Sequence, residues 1–92
     1  MLLKGKTAVI TGCNRGIGKA ILERTAGSGA NVFAVVRKET DEFAEYCAAL
    51  SAEHSVEIQI VCADFENEDQ VTAAAKSILK TKRRIDILVN NI

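Results

Sequence analysis

Gly12, Gly16 and Gly18 fall in the run Thr11-Gly12-Cys13-Asn14-Arg15-Gly16-Ile17-Gly18, spaced GxxxGxG between a compact apolar run, Lys6 to Thr11, and a segment of helical period that includes Ile17, Ala20 and Ile21. A glycine turn in that position is suited to holding an anion, because the helix it opens presents unpaired N–H groups and the positive end of its dipole. Each glycine has a separate task. Gly12 allows the sharp exit from the strand, Gly16 lets the backbone approach a pyrophosphate with no Cβ in the way, and Gly18 allows close packing of helix on sheet. A purely structural turn uses glycine for the same freedom; the strand-turn-helix context is what favours phosphate.

Other chemistry-bearing residues are sparse. Cys13, Cys47 and Cys62 are odd in number, show no CxxC spacing, and have only His54 to help hold a metal, so reduced thiols and no metal site are expected. Cys13 sits beside a helix N-terminus, which either lowers its pKa and makes it oxidisable or simply uses a small residue that fits the loop; the second is preferred. Cys47 and Cys62, on a core stripe and in a strand, are expected to be inert. Tyr46 is the only tyrosine and lies on a helix stripe, a packing position. Lys80, Lys82 and Arg83 could touch phosphate, but a solvated helix C-terminus accounts for them equally simply and agrees better with the overall charge.

The elements that must position the glycine turn alternate short β-branched runs with helical segments, in the order β, α, β, α, β, α, β. Lys6 to Thr11 and Asn31 to Val36 are compact runs with an apolar centre, as strands buried on both faces have. Val56, Ile58 and Ile60 alternate before Val61 and Cys62, and Ile85 to Val89 is a fourth strand. Phe43, Tyr46, Cys47 and Leu50 form the stripe of the second helix. In the third, Asn67 and Gln70 have capping-box spacing, Glu68 and Asp69 place charge in the first turn, and Val71, Ala74, Ala75, Ile78 and Leu79 form the stripe. This alternation implies βαβ units and a parallel sheet covered on both faces.

Ninety-two residues hold one domain at most, or part of one. A composition of 48% hydrophobic and 26% charged residues is that of a folded globular chain, which argues against disorder. Twelve basic against twelve acidic residues give zero formal charge, against a nucleic-acid binder or a membrane-surface binder. Apolar runs such as Val32 to Val36 fall far short of the ~20 residues that span a bilayer, and Met1-Leu2-Leu3 is too short for a signal-peptide core. A cytosolic chain is expected.

With these residues in place, the sequence resembles the short-chain dehydrogenase/reductase family over its whole length, most closely the N-terminal part of a 3-oxoacyl-acyl-carrier-protein reductase. The resemblance is carried by Gly5-Lys6-Thr7-Ala8-Val9-Ile10-Thr11-Gly12, Asn14-Arg15-Gly16-Ile17-Gly18, Gly29-Ala30-Asn31-Val32, Asp64, and Ile85-Asp86-Ile87-Leu88-Val89-Asn90-Asn91. It implies an α/β fold: the N-terminal half of a Rossmann-type doubly wound parallel sheet, strand order 3-2-1-4, with residues 1–92 an incomplete dinucleotide-binding domain. It implies that Asp64 meets the adenine amino group with Phe65 beside it. Asn90 and Asn91 match the Asn pair that lines the adenosine side and steadies the sheet. Gly12, Asn14, Arg15, Gly16, Ile17 and Gly18 complete the implied cofactor set.

In the family, an acid at the end of the second strand receives the ribose 2′-OH of NAD, whereas a 2′-phosphate needs cations there. Val36 holds the acid's place here, followed by Arg37 and Lys38, with Arg15 in the glycine loop. NADP is expected over NAD, unless Arg37 is merely solvated. Ile92 stands where the family motif has Ala and Gly, and the family's catalytic Ser, Tyr and Lys belong to a later stretch. No catalytic residue is therefore assigned, and the chain alone is expected to be inactive. The implied activity is NADP(H)-dependent carbonyl reduction or alcohol oxidation, with a 3-oxoacyl thioester as leading substrate. A catalytically dead remnant that binds nucleotide or a partner, and a structural fragment with an unfilled site, are the alternatives. An apolar fourth strand at the sheet edge is expected to drive self-association.

Overall fold

The computed structural model describes residues 2–91. Four parallel strands, β1 (Thr7–Thr11), β2 (Asn31–Val36), β3 (Ile58–Cys62) and β4 (Ile87–Val89), lie in the order β3-β2-β1-β4, with helices α1 (Gly16–Gly27), α2 (Asp41–His54) and α3 (Glu68–Lys80) between them. The expected topology is found. β1 and β2 are buried along their length, as strands between two neighbours and two helix layers must be.

Alternate side chains divide the core into two layers. On one face Ala8, Ile10, Val32, Ala34 and Val36 pack with Leu22 of α1 and with Phe43, Cys47 and Leu50 of α2. On the other, Val9, Phe33, Val35, Val61 and Ala63 pack with Ala74 of α3. The second layer is thinner. Leu88 pairs in register with Val9 and so shares that face, yet it is 69% exposed, because α3 packs over β3 and does not reach across to β4.

Three local expectations need correction. The fully buried side of α1 is Gly18, Leu22 and Ala26; of Ile17, Ala20 and Ile21 only Ile21 packs against the core, half-buried, whereas Ile17 is 75% exposed and Ala20 is exposed. Of the α3 stripe only Ala74 is buried; Val71 and Ile78 are half-buried, and Ala75 and Leu79 are exposed, since the helix rests on the sheet margin. Tyr46 is only half-buried: its ring packs against the core and stacks on Phe43, while its hydroxyl turns outward. Its hydroxyl donates to Glu23 Oε2 at 2.8 Å and the Lys19 ammonium sits 4.4 Å above its ring, so it bridges α1 and α2 at their outer surface.

Strand and cap boundaries have local causes. β3 begins at Ile58, two residues after Val56, because the α2 stop runs through Ser55 in the left-handed region (φ 54) and the Val56 N–H donates to Ser51 O. β4 begins at Ile87, not Ile85, because Asp86 fixes the entry: its N–H donates to Thr7 O at 2.9 Å, and its carboxylate accepts the Thr7 N–H at 3.0 Å. Asn67 caps α3 by accepting the Gln70 N–H at 3.2 Å, but Gln70 Oε1 accepts the Asp64 N–H at 2.9 Å, where a capping box would have it accept that of Asn67. The cap thus reaches into the loop after β3.

Candidate functional site

The chain reverses its direction of winding between β1 and β4, and in such sheets the crevice beyond the strand C-termini is where ligands bind. A cleft of about 830 Å³ opens there. Of the sequence-expected residues, Gly12, Asn14, Arg15, Gly16, Ile17, Arg37, Asp64, Phe65 and Asn91 line it, and Gly18 and Asn90 do not. Lys38, Thr40 and Glu66 also line it without having been assigned to it. Thr40 was findable: it precedes Asp41, Glu42 and the apolar Phe43, an N-cap pattern that brings the start of α2 to the crevice.

The glycine turn has the expected form with a more specific division of labour. Gly12 has φ +60, and a Cβ there would collide with the Asn91 carbonyl oxygen. Gly18 is helical, and its Cβ would strike the Gly12 carbonyl oxygen and approach Asn91 Nδ2. Gly18 therefore lets α1 close on the turn and on Asn91, and holds the cleft from behind. Gly16 has φ +57, and its Cβ would meet nothing within 4 Å, so the backbone at that point borders open space.

The start of α1 differs from the other two helix starts. Thr40 and Asn67 cap α2 and α3 with their side chains, and both helices carry two acids in the first turn. Arg15, at the N-cap of α1, makes no side-chain cap bond, and no acid lies in that first turn. The N–H groups of the first turn have no intrahelical acceptor, and Gly16 and Ile17 of that turn line the cleft.

The Asn pair ties β4 to the turn. Thr11 Oγ1, in a residue only 5% exposed, accepts the Asn91 N–H at 2.9 Å and lies 3.2 Å from Asn90 Oδ1, to which it donates. Asn91 Nδ2 donates to Gly12 O at 3.1 Å. Asn91 thus both borders the cleft and fixes its floor, while Asn90 serves the strand junction. On the far side, Arg37 Nη2 lies 3.4 Å from Asp64 Oδ2.

The thiols and the tyrosine stand apart from this chemistry. Burial, then the neighbouring Cys47, pushes the Cys13 thiol up to about 12, and burial with the Glu39 charge pushes Cys47 to about 11. Cys13 donates to Ile10 O and is a packing residue. Cys62 is exposed, contrary to the inert position expected, because β3 is an edge strand. Since the two folded-state pKa values are raised above the ordinary 9.0, the protonated thiols' stabilisation is complete below that pH and is lost as pH rises through 11 to 12. At pH 8 a thiol-exchange reagent should therefore titrate one cysteine quickly in the native chain and all three after denaturation; rapid native reaction of Cys13 would contradict this placement. Tyr46 is likewise raised, to about 12, by burial and by its bond to Glu23. It does not line the cleft. His54 closes α2 with Nε2 3.4 Å from Glu53 Oε2, also away from the cleft. Among the described residues there is no group of three or more His, Cys, Asp and Glu that could hold a metal ion, and no helix long and apolar enough to cross a membrane.

Comparison with known proteins agrees with this geometry. The chain is 38% identical over 93 residues to 3beta-hydroxysteroid dehydrogenase 2 of Eggerthella lenta, covering 98% of this chain and 34% of that protein. Among solved structures, L-sorbose reductase from Gluconobacter frateurii, complexed with NADPH and L-sorbose, superposes with a TM-score of 0.86 at 36% identity, over all of this chain and 35% of that one. The NADPH-dependent 3-quinuclidinone reductase of Rhodotorula rubra gives 0.82 at 28% identity, over 94% of this chain and 32% of that one. The chain thus spans about a third of the length of these proteins. Their substrates differ widely, and a kinship to 3-oxoacyl-acyl-carrier-protein reductases in particular does not stand out. What they share is the family itself, whose profile, short chain dehydrogenase, matches residues 6–92. This chain belongs to the short chain dehydrogenase family.

Proposed function

We propose that residues 1–92 form the part of an NADP(H)-dependent oxidoreductase that holds the adenosine and pyrophosphate of the cofactor. One observation carries this reading: an uncapped, acid-free helix start and the open backbone at Gly16 border the same cleft as Arg15, Arg37 and Lys38. The first two suit a pyrophosphate, and the three cations suit a further phosphate on the ribose. When bound, the nicotinamide supplies hydride exchange with a carbonyl or alcohol carbon.

The chain's own residues bind and orient. The α1 N–H groups receive the pyrophosphate, with Asn14 and Ile17 on either side of the turn. Arg15 and Arg37 donate to the 2′-phosphate. Asp64 accepts from the adenine amino group with the Phe65 ring against it. Asn91, Asn90 and Gly18 keep the turn and β4 in register. The NADPH complex of one solved relative and the NADPH dependence of another support NADP over NAD. For the whole protein, carbonyl reduction is the proposed activity, with a 3-oxoacyl thioester the substrate that the sequence motifs favour. The test is a charge reversal. Arg37→Asp should turn a preference for 2′,5′-ADP over 5′-AMP into the opposite preference in calorimetry, each lost charge-assisted bond being worth roughly 1.5 to 3 kcal/mol when well made. An unchanged preference would refute Arg37 as a phosphate ligand.

Self-association of the chain belongs to the same proposal. β4 has a free outer edge of three residues, with Leu88 exposed on one face and Ile85 just before it. Unpaired strand N–H and C=O groups recruit another strand. Dimers or larger species are expected in sedimentation velocity at micromolar concentration, and a stable monomer there would contradict the pairing.

A further inference from the structure

Arg37 and Asp64 are assigned above to different parts of the cofactor, yet across the cleft they hold each other, Nη2 to Oδ2 at 3.4 Å. The two partners are unequally held. Asp64 is fixed on three sides: its Oδ1 accepts the Glu66 N–H at 3.0 Å, its N–H donates to Gln70 Oε1 at 2.9 Å, and its carbonyl accepts the Asn67 N–H at 2.9 Å. The last two bonds run into the capped start of α3, so the carboxylate is part of a rigid corner. Arg37 follows the end of β2, and its side chain is 75% exposed, against 27% for Asp64. When the pair separates, the guanidinium is what moves.

We propose that Asp64 is a specificity-determining residue that acts by positioning Arg37: it holds the guanidinium at the cleft until a phosphate on the ribose draws it away. This rests on the proposed binding of NADP(H). An exposed ion pair is weak in water. A phosphate monoester bears close to two negative charges near neutrality, and with a guanidinium it forms two parallel charge-assisted bonds. It outcompetes the single carboxylate contact, and Arg37 changes partner. A ribose 2′-OH is neutral and does not, so Arg37 stays on Asp64 when an unphosphorylated ligand binds. Asp64 therefore lowers the affinity for 2′-phosphorylated ligands only, by competing for the same cation. It sets how strongly the site discriminates between the two ligand classes, apart from any contact it makes to adenine.

Comparing two ligands separates these roles. Any loss of an adenine contact in an Asp64 variant weakens 2′,5′-ADP and 5′-AMP alike and cancels in the ratio of their dissociation constants. Asp64→Asn keeps an oxygen for the Glu66 N–H and removes the charge, and Asp64→Ser keeps the turn in a second way should the first variant fold poorly. The ratio, measured by calorimetry on the 92-residue chain, is expected to move about three- to fivefold further toward 2′,5′-ADP in either variant. In an Arg37→Gln background the same substitutions should leave it unchanged. A wild-type preference that Asp64→Asn and Asp64→Ser leave as it was would overturn the proposal. So would an equal rise in the Arg37→Gln background, which would mean that Asp64 repels the phosphate directly. If wild type shows no preference for 2′,5′-ADP, the NADP reading itself fails, and the wild-type arm alone reveals that.

Discussion

Gly12→Ala should destabilise the chain by about 2 to 5 kcal/mol, because two costs coincide there. A left-handed backbone costs an L-residue roughly 1 to 2 kcal/mol, and φ at Gly12 is +60. The added Cβ would also collide with the Asn91 carbonyl oxygen, a backbone atom held in place by the Asn91 N–H bond to Thr11 Oγ1, so it has no easy retreat. Overpacking of this kind costs about 1 to 3 kcal/mol more. For a chain of this size each kcal/mol moves the melting temperature by roughly 4 to 8 °C, so a fall of at least about 8 °C is expected in thermal unfolding. Gly18→Ala gives a sharper test of sign. Glycine to alanine inside a helix ordinarily stabilises by about 1 kcal/mol, but here the Cβ meets the Gly12 carbonyl, and destabilisation is expected. Stabilisation by Gly18→Ala would mean that α1 does not close on the turn as described.

The 92-residue chain by itself should not oxidise NADPH with acetoacetyl thioester or a simple ketone, even where the nucleotide binds. Fixing the reacting atoms within bonding distance is worth up to about 7 to 11 kcal/mol, and the adenosine side of a cofactor cannot supply that fixing for the nicotinamide. A placed acid typically contributes a further 10²- to 10⁴-fold. No tyrosine or histidine is among the residues lining the cleft; Tyr46 is engaged with Glu23 on the outer side of α1 and α2, and its pKa is raised to about 12. NADPH consumption should equal that of a Gly12→Ala, Gly16→Ala double variant. Turnover above that control would show that association of chains builds a reacting site.

How much of this was legible in the sequence depended on distance along the chain. The strands β1 and β2 are readable because burial on both faces gives each an apolar centre with no polar alternation, Ala8 to Ile10 and Val32 to Val36, and the glycine turn because its spacing is local. Strand order followed from the alternation and the resemblance. Faces were less readable where a helix borders open space. Ile17 belongs by period to the apolar side of α1 and by resemblance to the cofactor set, and the cleft leaves it exposed; α3 carries a wide apolar stripe of which the sheet margin fully covers only Ala74. Tyr46 has the spacing of a core residue, yet its hydroxyl needed a partner and found Glu23, 23 positions away. The Arg37–Asp64 pair has no local signature at all, since parallel register alone brings the ends of β2 and β3 together. Asn91 matches a pair implied to line the adenosine side and to steady the sheet, but the bond by which it fixes Gly12, 79 positions away, is visible only in the fold.

The cleft is proposed above to take a nucleotide bearing a 2′-phosphate. Calorimetric titration of the wild-type chain with 2′,5′-ADP and, separately, with 5′-AMP tests it most directly. The account predicts tighter binding of 2′,5′-ADP, by roughly tenfold or more if a single well-made charge-assisted bond of about 1.5 kcal/mol survives in the open cleft. Equal affinity for the two ligands, or tighter binding of 5′-AMP, would contradict it.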